Sequence, residues 1–484
     1  MSRWRGAVTS LNKLIGEERA VVDAPTAAPT PLRPIDLTDD ARVAEVLDLA
    51  VRSGEVLLAS GTSAIDTTNQ VLFVAATYGL ARCDVDVTYN AIRVSAQRGP
   101  TMPPATSMRV VHYRSLDFTR LAAVDRLTRR LRTEAVEPDE ALAALEAITA
   151  AAHPYNRWTA TFAWAAMAGS ASVLLGGNWL VAIISFLTTM VIDRVNRRLN
   201  RIGLPFFFQQ VTGGMIAAAP AGVLYAFRDH IGSGIQPSLV IAAGVIVLLS
   251  GLALVGSVQD AITGAPVTAV ARFFEVLMMT GGIIAGVAIT LRIAAAAGST
   301  LPVTVPPALS PALTQIHVQV IAGAFTSLFF AVACYAEKRA LTAAGLGGAA
   351  GILVYYLVLG LGVGPVISSA VAATVVGFVG GLMARRALTP PQVIAVAGIT
   401  PLLPGLALYR SLYALLNDQL LDGLGSLLSA FGIGVALAAG VTLGEWAART
   451  LRRPRMLRKT DALRRPILRH RRTDPERVDR KGRS

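Results

Sequence analysis

TATFAWAAMAGSASVLLG, residues Thr159 to Gly176, is where this chain changes character. Ahead of it, from about residue 40, charged and apolar residues mix as in a water-soluble domain. From it to Trp446, apolar runs of about 20 residues follow one another with little interruption, the length that crosses ~30 Å of hydrocarbon at 1.5 Å per residue. The runs are continuous rather than alternating, which selects helices over a closed barrel as the way to satisfy backbone groups in lipid. The chain therefore reads as an all-α polytopic membrane protein with an N-terminal soluble α+β domain.

Composition agrees once it is located. The chain is 484 residues long, 53% hydrophobic and 16% charged, with charges crowded towards its two ends. Its net charge of +14 raises nucleic-acid binding as a candidate. The distribution argues against it: Arg449 to Ser484 alone holds fifteen Lys/Arg against four acids. A basic run directly after a membrane helix suits anionic lipid and the positive-inside rule, so lipid is expected as a partner and nucleic acid is not. Cys83 and Cys334 give neither a disulfide framework nor a metal site, and the five histidines are scattered. No HExxH, P-loop or nucleophile-elbow pattern is present, so no enzyme, metal or cofactor is expected. Met1 to Val22 has no apolar core of a secretory signal, which leaves the soluble domain in the cytoplasm.

Residues 1–39 read as an extension and a Pro-rich linker, and 40–157 as the soluble domain. Within it, helices are expected at Asp40 to Leu58, up to about Tyr78, at Asp117 to Thr133 and at Pro138 to Ala152. Strands are expected at Asp84 to Thr88, Ile92 to Ser95 and Met108 to Tyr113, with a turn at Asn90. Ten spans are expected, at 159–176, 178–193, 207–227, 237–257, 273–295, 316–335, 344–361, 365–384, 391–410 and 426–446. Arg194, Arg197, Arg198, Arg201, Lys338, Arg339, Arg385, Arg386 and the basic tail then share one side, which puts both termini in the cytoplasm. Arg228 and Arg410 are exceptions. The membrane part divides into halves, 158–296 and 316–447, joined by a non-cytosolic loop at 297–315 and followed by the tail at 448–484. Five spans per half make any repeat an inverted one.

Each half carries a glycine-marked break before its last span: Asp260 to Gly264 in the first and Pro401 to Gly405 in the second. Interrupted segments at matching positions of two halves point to a transporter binding site. Pro401 and Pro404 each remove a helix donor and are expected to free carbonyls one turn upstream. Arg272 and Glu275, at i,i+3 spacing, are expected to pair with each other. Asp260 has no partner nearby in sequence, which makes it a candidate for proton exchange or contact with a substrate ammonium. Asp193 and Arg197 read as a surface ion pair, and Glu445 as interfacial. Thr212, Gly213 and Gly214, after Gln209 and Gln210, put polar side chains and bare backbone on a membrane helix; close packing is the main reading and substrate contact the lesser one. Gly282/Gly286, Gly347/Gly351 and Gly440/Gly444 mark close helix contact.

Three stretches resemble the threonine/serine exporter family. They are LDLAVRSGEVLLASGTSAIDTTNQVLFVAATYGL (Leu47 to Leu80) with CDVDVTYNAIRVS and MRVV after it, GLPFFFQQVTGGMIAAAPA (Gly203 to Ala221), and GITPLLPGLALYRSLYALL (Gly398 to Leu416). The last matches a P-x-x-P-G-x-x-x-Y-R signature, which adds Gly405, Tyr409 and Arg410 to the candidate site. Ile65-Asp66 stands where the family commonly has Val-Glu, and the basic tail is a further departure. The resemblance implies a ten-span inner-membrane exporter of threonine, serine or similar small amino acids, driven by the proton-motive force, from a bacterium and open to homo-oligomerisation. The substrate-binding candidates are Thr212, Gly213, Gly214, Asp260, Gly264, Arg272, Glu275, Pro401, Pro404, Gly405, Tyr409 and Arg410. A helix N-terminus suits an α-carboxylate, and a carboxylate suits an α-ammonium. The alternative is a membrane-anchored sensor or scaffold whose head binds a ligand; a hydrolase activity in the head comes third.

Overall fold

A computed structural model describes residues 31–112, 114–226, 240–241, 244–245, 248, 251–296, 316–387, 390–416 and 419–452. The N-terminal extension, the 297–315 loop, most of the tail and part of the span expected at 237–257 lie outside the described residues.

The head starts with α1 (Asp40–Ala59), which begins where Asp39 accepts the backbone N–H groups of Ala41 and Arg42 at 2.9 and 3.2 Å. That side chain satisfies donors the first turn leaves open. Ser63 caps α2 (Ala64–Thr77) in the same way. Three strands, β1 (Cys83–Thr88), β2 (Ala91–Ala96) and β3 (Ala105–Val110), form an antiparallel meander in the order β1-β2-β3. Thr88 pairs with Ala91, so Tyr89 and Asn90 form the two-residue turn expected there, with Tyr89 at φ +26°. β3 starts and ends before the expected 108–113, because its pairing follows β2 from Ala105 to Val110. Val87, Ile92 and Val94 are buried in the domain core with residues of the helices, while Asp84, Asp86 and Arg93 face out. α3 (Phe118–Thr133), capped by Asp117, and α4 (Pro138–Ala150), opened by proline, complete the domain.

The rest of the described chain is mainly helical: α5 (Arg157–Leu174), α6 (Trp179–Arg201), α7 (Phe206–Ala226), α8 (Gly251–Thr263), α9 (Pro266–Ala296), α10 (Ile316–Ala333), α11 (Lys338–Leu359), α12 (Pro365–Ala387), α13 (Pro391–Ile399), a 3₁₀ turn (Thr400–Leu402), α14 (Gly405–Leu416) and α15 (Leu420–Arg452). Among the described residues, six segments are long and apolar enough to cross a membrane: most or all of α6, α9, α10, α11, α12 and α15. Their outer faces suit lipid. Ile183, Leu187 and Val191 on α6, and Val270, Phe274 and Met278 on α9, are exposed at helical spacing. Such stripes are untenable in water and natural in hydrocarbon. This is a multi-pass membrane protein. α9 and α15 begin before residues 273 and 426, because the flanking Ala, Thr and Gly residues continue the helix beyond the apolar run.

Glycines set the closest helix contacts. A Cβ built on Gly282 would lie 3.0 Å from the Phe207 carbonyl oxygen, and one on Gly286 would overlap that of Val211. In α15, a Cβ on Gly440 would lie 2.5 Å from the Ala370 carbonyl oxygen, and one on Gly444 would overlap that of Thr374. The approach is mutual: Gly214 of α7 meets the backbone of Ile283, and Gly377 of α12 meets the backbone of Val441. Every contact of α7 with α9 in this set recurs between α12 and α15 at a constant displacement along each helix. Gly347 and Gly351 of α11 also face Gly398 of α13, where an added Cβ would lie 3.5 Å from the Gly398 Cα and 3.4 Å from its carbonyl oxygen respectively, an ordinary contact. All three glycine pairs read from the sequence therefore lie at helix–helix contacts, closest at the first and third.

The head is not a separate ball. Its apolar core runs without a gap into Met167, Phe330, Ala336, Ala340, Val393 and Ala397 of the helical part. Asp193 and Arg197 form the expected ion pair at 2.7 Å, and Thr161 donates to Asp193 at 2.6 Å, tying α5 to α6.

Candidate functional site

The turn between α8 and α9 explains why two distant charges meet. α8 ends at Thr263, Gly264 takes φ +98°, and Pro266 opens α9. A left-handed residue followed by proline stops one helix and starts the next at once. Asp260 on the last turn of α8 is thereby brought to Arg272 on α9, Oδ2 to Nη1 at 2.6 Å, with Asp260 fully buried and Arg272 nearly so. The sequence left Asp260 without a partner and paired Arg272 with Glu275. Both expectations are corrected, because the reversal at Gly264 folds α9 back towards Asp260, which spacing along one helix cannot reveal.

Asp260 has a second partner in the head. Its Oδ1 accepts the backbone N–H of Ala64 at 3.0 Å, the first residue of α2. A carboxylate at the end of its own helix meets an unfavourable dipole; at the start of α2 it meets a favourable one. The β1–β2 turn makes the neighbouring contact. The Tyr89 N–H donates to Thr268 Oγ1 at 3.0 Å, and that hydroxyl faces the Val87 carbonyl at 3.5 Å. The Arg114 guanidinium lies 4.3 Å from the centre of the Tyr89 ring. Burial, and then the like charge of Arg272, pull the Arg114 pKa below its usual value. Burial raises that of Tyr89, with Glu275 adding to the effect through its charge and a hydrogen bond. Asp260, Arg272, Glu275 and Arg114 thus put two carboxylates and two guanidiniums into one largely buried junction. Ala64, Tyr89, Arg114 and Thr268 were not legible as site residues. The one signal was the turn at Asn90, which says nothing of what the turn touches.

The second break lies elsewhere in its helix. The Pro401–Gly405 break separates α13 and the 3₁₀ turn from α14 inside the span expected at 391–410, whereas Asp260–Gly264 is a turn between α8 and α9, ahead of a span. The two breaks are not at matching positions, a correction to the sequence reading. The carbonyls the prolines release are also recaptured. That of Ala397 accepts the Thr400 N–H, and that of Thr400 accepts the Leu403 N–H at 3.3 Å. Tightening to i→i+3 bonding satisfies groups that an α-helix through proline would leave open. Pro404 and Gly405 are buried, and Pro401 is partly so. Leu403 of this break packs on Gly251. The break therefore lies along α8 from the Asp260 ion pair, towards Gly251.

Thr212, Gly213 and Gly214 are not drawn into either group. The Thr212 hydroxyl bonds to the Phe208 carbonyl of its own helix at 2.9 Å, and a Cβ on Gly213 would meet Leu248. Gln209 and Gln210 are buried, and Gln209 donates to the Leu204 carbonyl at 2.8 Å. Arg410 is partly buried on α14; the Tyr409 side chain is outside the described residues. Among the described residues, no group of three or more His, Cys, Asp or Glu side chains is arranged to hold a metal ion.

Two family models match the chain in succession. One described as "Putative threonine/serine exporter" covers residues 48–294, and one described as "Threonine/Serine exporter, ThrE" covers residues 319–447. A protein named "Threonine/serine exporter" from Corynebacterium glutamicum is 46% identical over 438 residues, 90% of this chain and 89% of the relative. A "Probable threonine/serine exporter" from Mycobacterium tuberculosis is 41% identical over 419 residues, 86% of this chain and 78% of the relative. No solved structure matches.

Proposed function

Because the chain belongs to the threonine/serine exporter family, we propose that it exports threonine, serine or similar small amino acids across a bacterial inner membrane, driven by the proton-motive force. It is a transporter rather than an enzyme. The observation that carries the substrate is the 46% identity, across about nine-tenths of both chains, to a relative named for that export. The relatives' names do not favour a membrane-anchored sensor. The buried junction supports the reading in chemical terms: a free amino acid is a zwitterion, and Asp260, Glu275, Arg272 and Arg114 offer both complementary charges. Asp260, Gly264, Arg272 and Glu275 form one candidate region. Pro401, Pro404, Gly405, Tyr409 and Arg410 form a second, along α8 from the first.

The architecture we favour has ten spans in two inverted five-helix halves with both termini cytoplasmic. The recurrence of the α7–α9 glycine contacts between α12 and α15 supports a repeat, and in that topology Arg197, Lys338 and Arg385 fall on the cytoplasmic side as the positive-inside rule asks. Thr212, Gly213 and Gly214 then belong to the packing of the first half.

Cells preloaded with labelled threonine test the export reading. Production of the protein is expected to speed efflux several-fold, with the gain lost on collapsing the proton gradient. Efflux no faster than from cells lacking the protein sinks the proposal, and a gain that survives the protonophore sinks only the coupling. The break has its own test. Replacing Pro401 and Pro404 together by Ala restores two helix donors and lets α13 run into α14. Efflux is expected to fall at least ~10-fold at normal membrane abundance, roughly the effect of losing one strong binding interaction. Unchanged efflux would make the break a packing kink.

A further inference from the structure

Among the described residues, the head meets the helical part in two places of different character. One is apolar at its centre, with polar contacts around it. Phe118 packs edge-on against Phe330 with ring centres 6.2 Å apart, and buried Ala336, Ala340, Val393 and Ala397 continue the head's core. Around this contact the Phe118 N–H donates to the Cys334 carbonyl at 3.0 Å and Thr119 to that of Tyr335. Arg126 pairs with Glu337 at 2.7 Å, and His153 stacks on Tyr335 at 4.3 Å. The other place is narrow and polar. It consists of Ala64 N–H on Asp260, Tyr89 N–H on Thr268 and the charges around Arg272, with only Leu252 and Ala265 from α8 and the following turn reaching the margin of the apolar core.

The two contacts differ in what separation would cost. Parting the apolar one exposes buried hydrocarbon, whose cost grows with area. Parting the polar one exchanges a few hydrogen bonds for bonds to water, at a modest cost for each bond that is larger where the acceptor is the Asp260 carboxylate. The polar contact also falls on the one turn, at Gly264, between α8 and the glycine-locked pair α7–α9. From this asymmetry we infer that the head is anchored permanently on α10 and the turn that follows it, and latched reversibly on the α8–α9 turn. Ala64–Asp260 and Tyr89–Thr268 are the latch, and it opens and recloses in each transport cycle. The inference rests on the export reading and gives the head a task in it: closing one side of the membrane part.

Two measurements test it, in a protein with Cys83→Ser and Cys334→Ala. In the first, Asn90→Cys and Val267→Cys, exposed neighbours of the Tyr89–Thr268 contact, are bridged by a bifunctional methanethiosulfonate. A second protein carries Arg126→Cys and Glu337→Cys across the anchor. The first bridge is expected to slow threonine efflux at least ~10-fold, with recovery on reduction, and the second to change it less than ~2-fold. Efflux that persists through a complete first bridge overturns the latch, as does equal inhibition by both bridges. The unbridged proteins separate this from the export reading, which fails if they do not move threonine at all. The second measurement needs no substrate. By hydrogen exchange in detergent, the Ala64 and Tyr89 amides are expected to exchange at least ~10-fold faster than that of Phe118, as a separately opening unit does. Equal protection at all three overturns the latch whatever the protein exports.

Discussion

Arg272→Leu is expected to destabilise the protein by about 3–5 kcal/mol, the cost of leaving a buried charge without its partner. Asp260 is fully buried, and Arg272 lies 2.6 Å away as its ion-pair partner. Without the guanidinium, the carboxylate keeps the Ala64 N–H at 3.0 Å and the charge of Arg114. Thermal unfolding of the purified protein in detergent, followed by loss of the monodisperse peak, reads the effect. Adding Asp260→Asn to Arg272→Leu is expected to recover more than half of the loss, since Asn removes the charge and still accepts from Ala64. A single variant as stable as the parent, or a double variant no better than the single, would show that the pair is solvated and not the buried contact described.

A large effect is also expected from Gly286→Val. Any Cβ there overlaps the Val211 carbonyl and comes within 2.8 Å of the Met215 amide nitrogen. Backbone cannot rotate aside as a side chain can, so α7 and α9 must part, and overpacking of this kind typically costs about 1–3 kcal/mol or more. The control lies close by. A Cβ on Gly281 meets nothing within 4 Å, so Gly281→Ala is expected to be neutral or to gain up to ~1 kcal/mol of helix propensity. Gly444→Val in α15 should behave like Gly286→Val, and Gly425→Ala like Gly281→Ala. Comparable yields of folded protein from Gly286→Val and Gly281→Ala would refute the close approach.

What could be read from the sequence and what could not divide along a physical line. Helix caps, apolar runs and the Tyr89-Asn90 turn are local, and the head's elements fall close to their expected places. The glycine pairs were legible as close contacts because small residues four apart on a membrane helix have few other uses. Asp260 was legible as unusual, since a carboxylate at a membrane edge is costly. Its partners were not, because one is reached through a reversal at Gly264 and the other is a backbone N–H in another domain. The carbonyls around Pro401 and Pro404 were misjudged for a related reason. Counting missing donors shows what proline removes, but not that a local change of helix pitch replaces it.

The continuity of the head's core with Phe330, Ala336, Val393 and Ala397 bears on how the protein is made. The head is synthesised first, yet part of its apolar packing comes from residues translated only after most of the membrane helices. At a ribosomal pace of about 5–20 residues per second, the head waits tens of seconds for them. During that interval the edge of Phe118 that meets Phe330 lacks its final partner. Order of synthesis and order of completion run in opposite directions, so a ribosome that stalls before Phe330 is made leaves an unfinished head rather than a finished domain on an unfinished anchor.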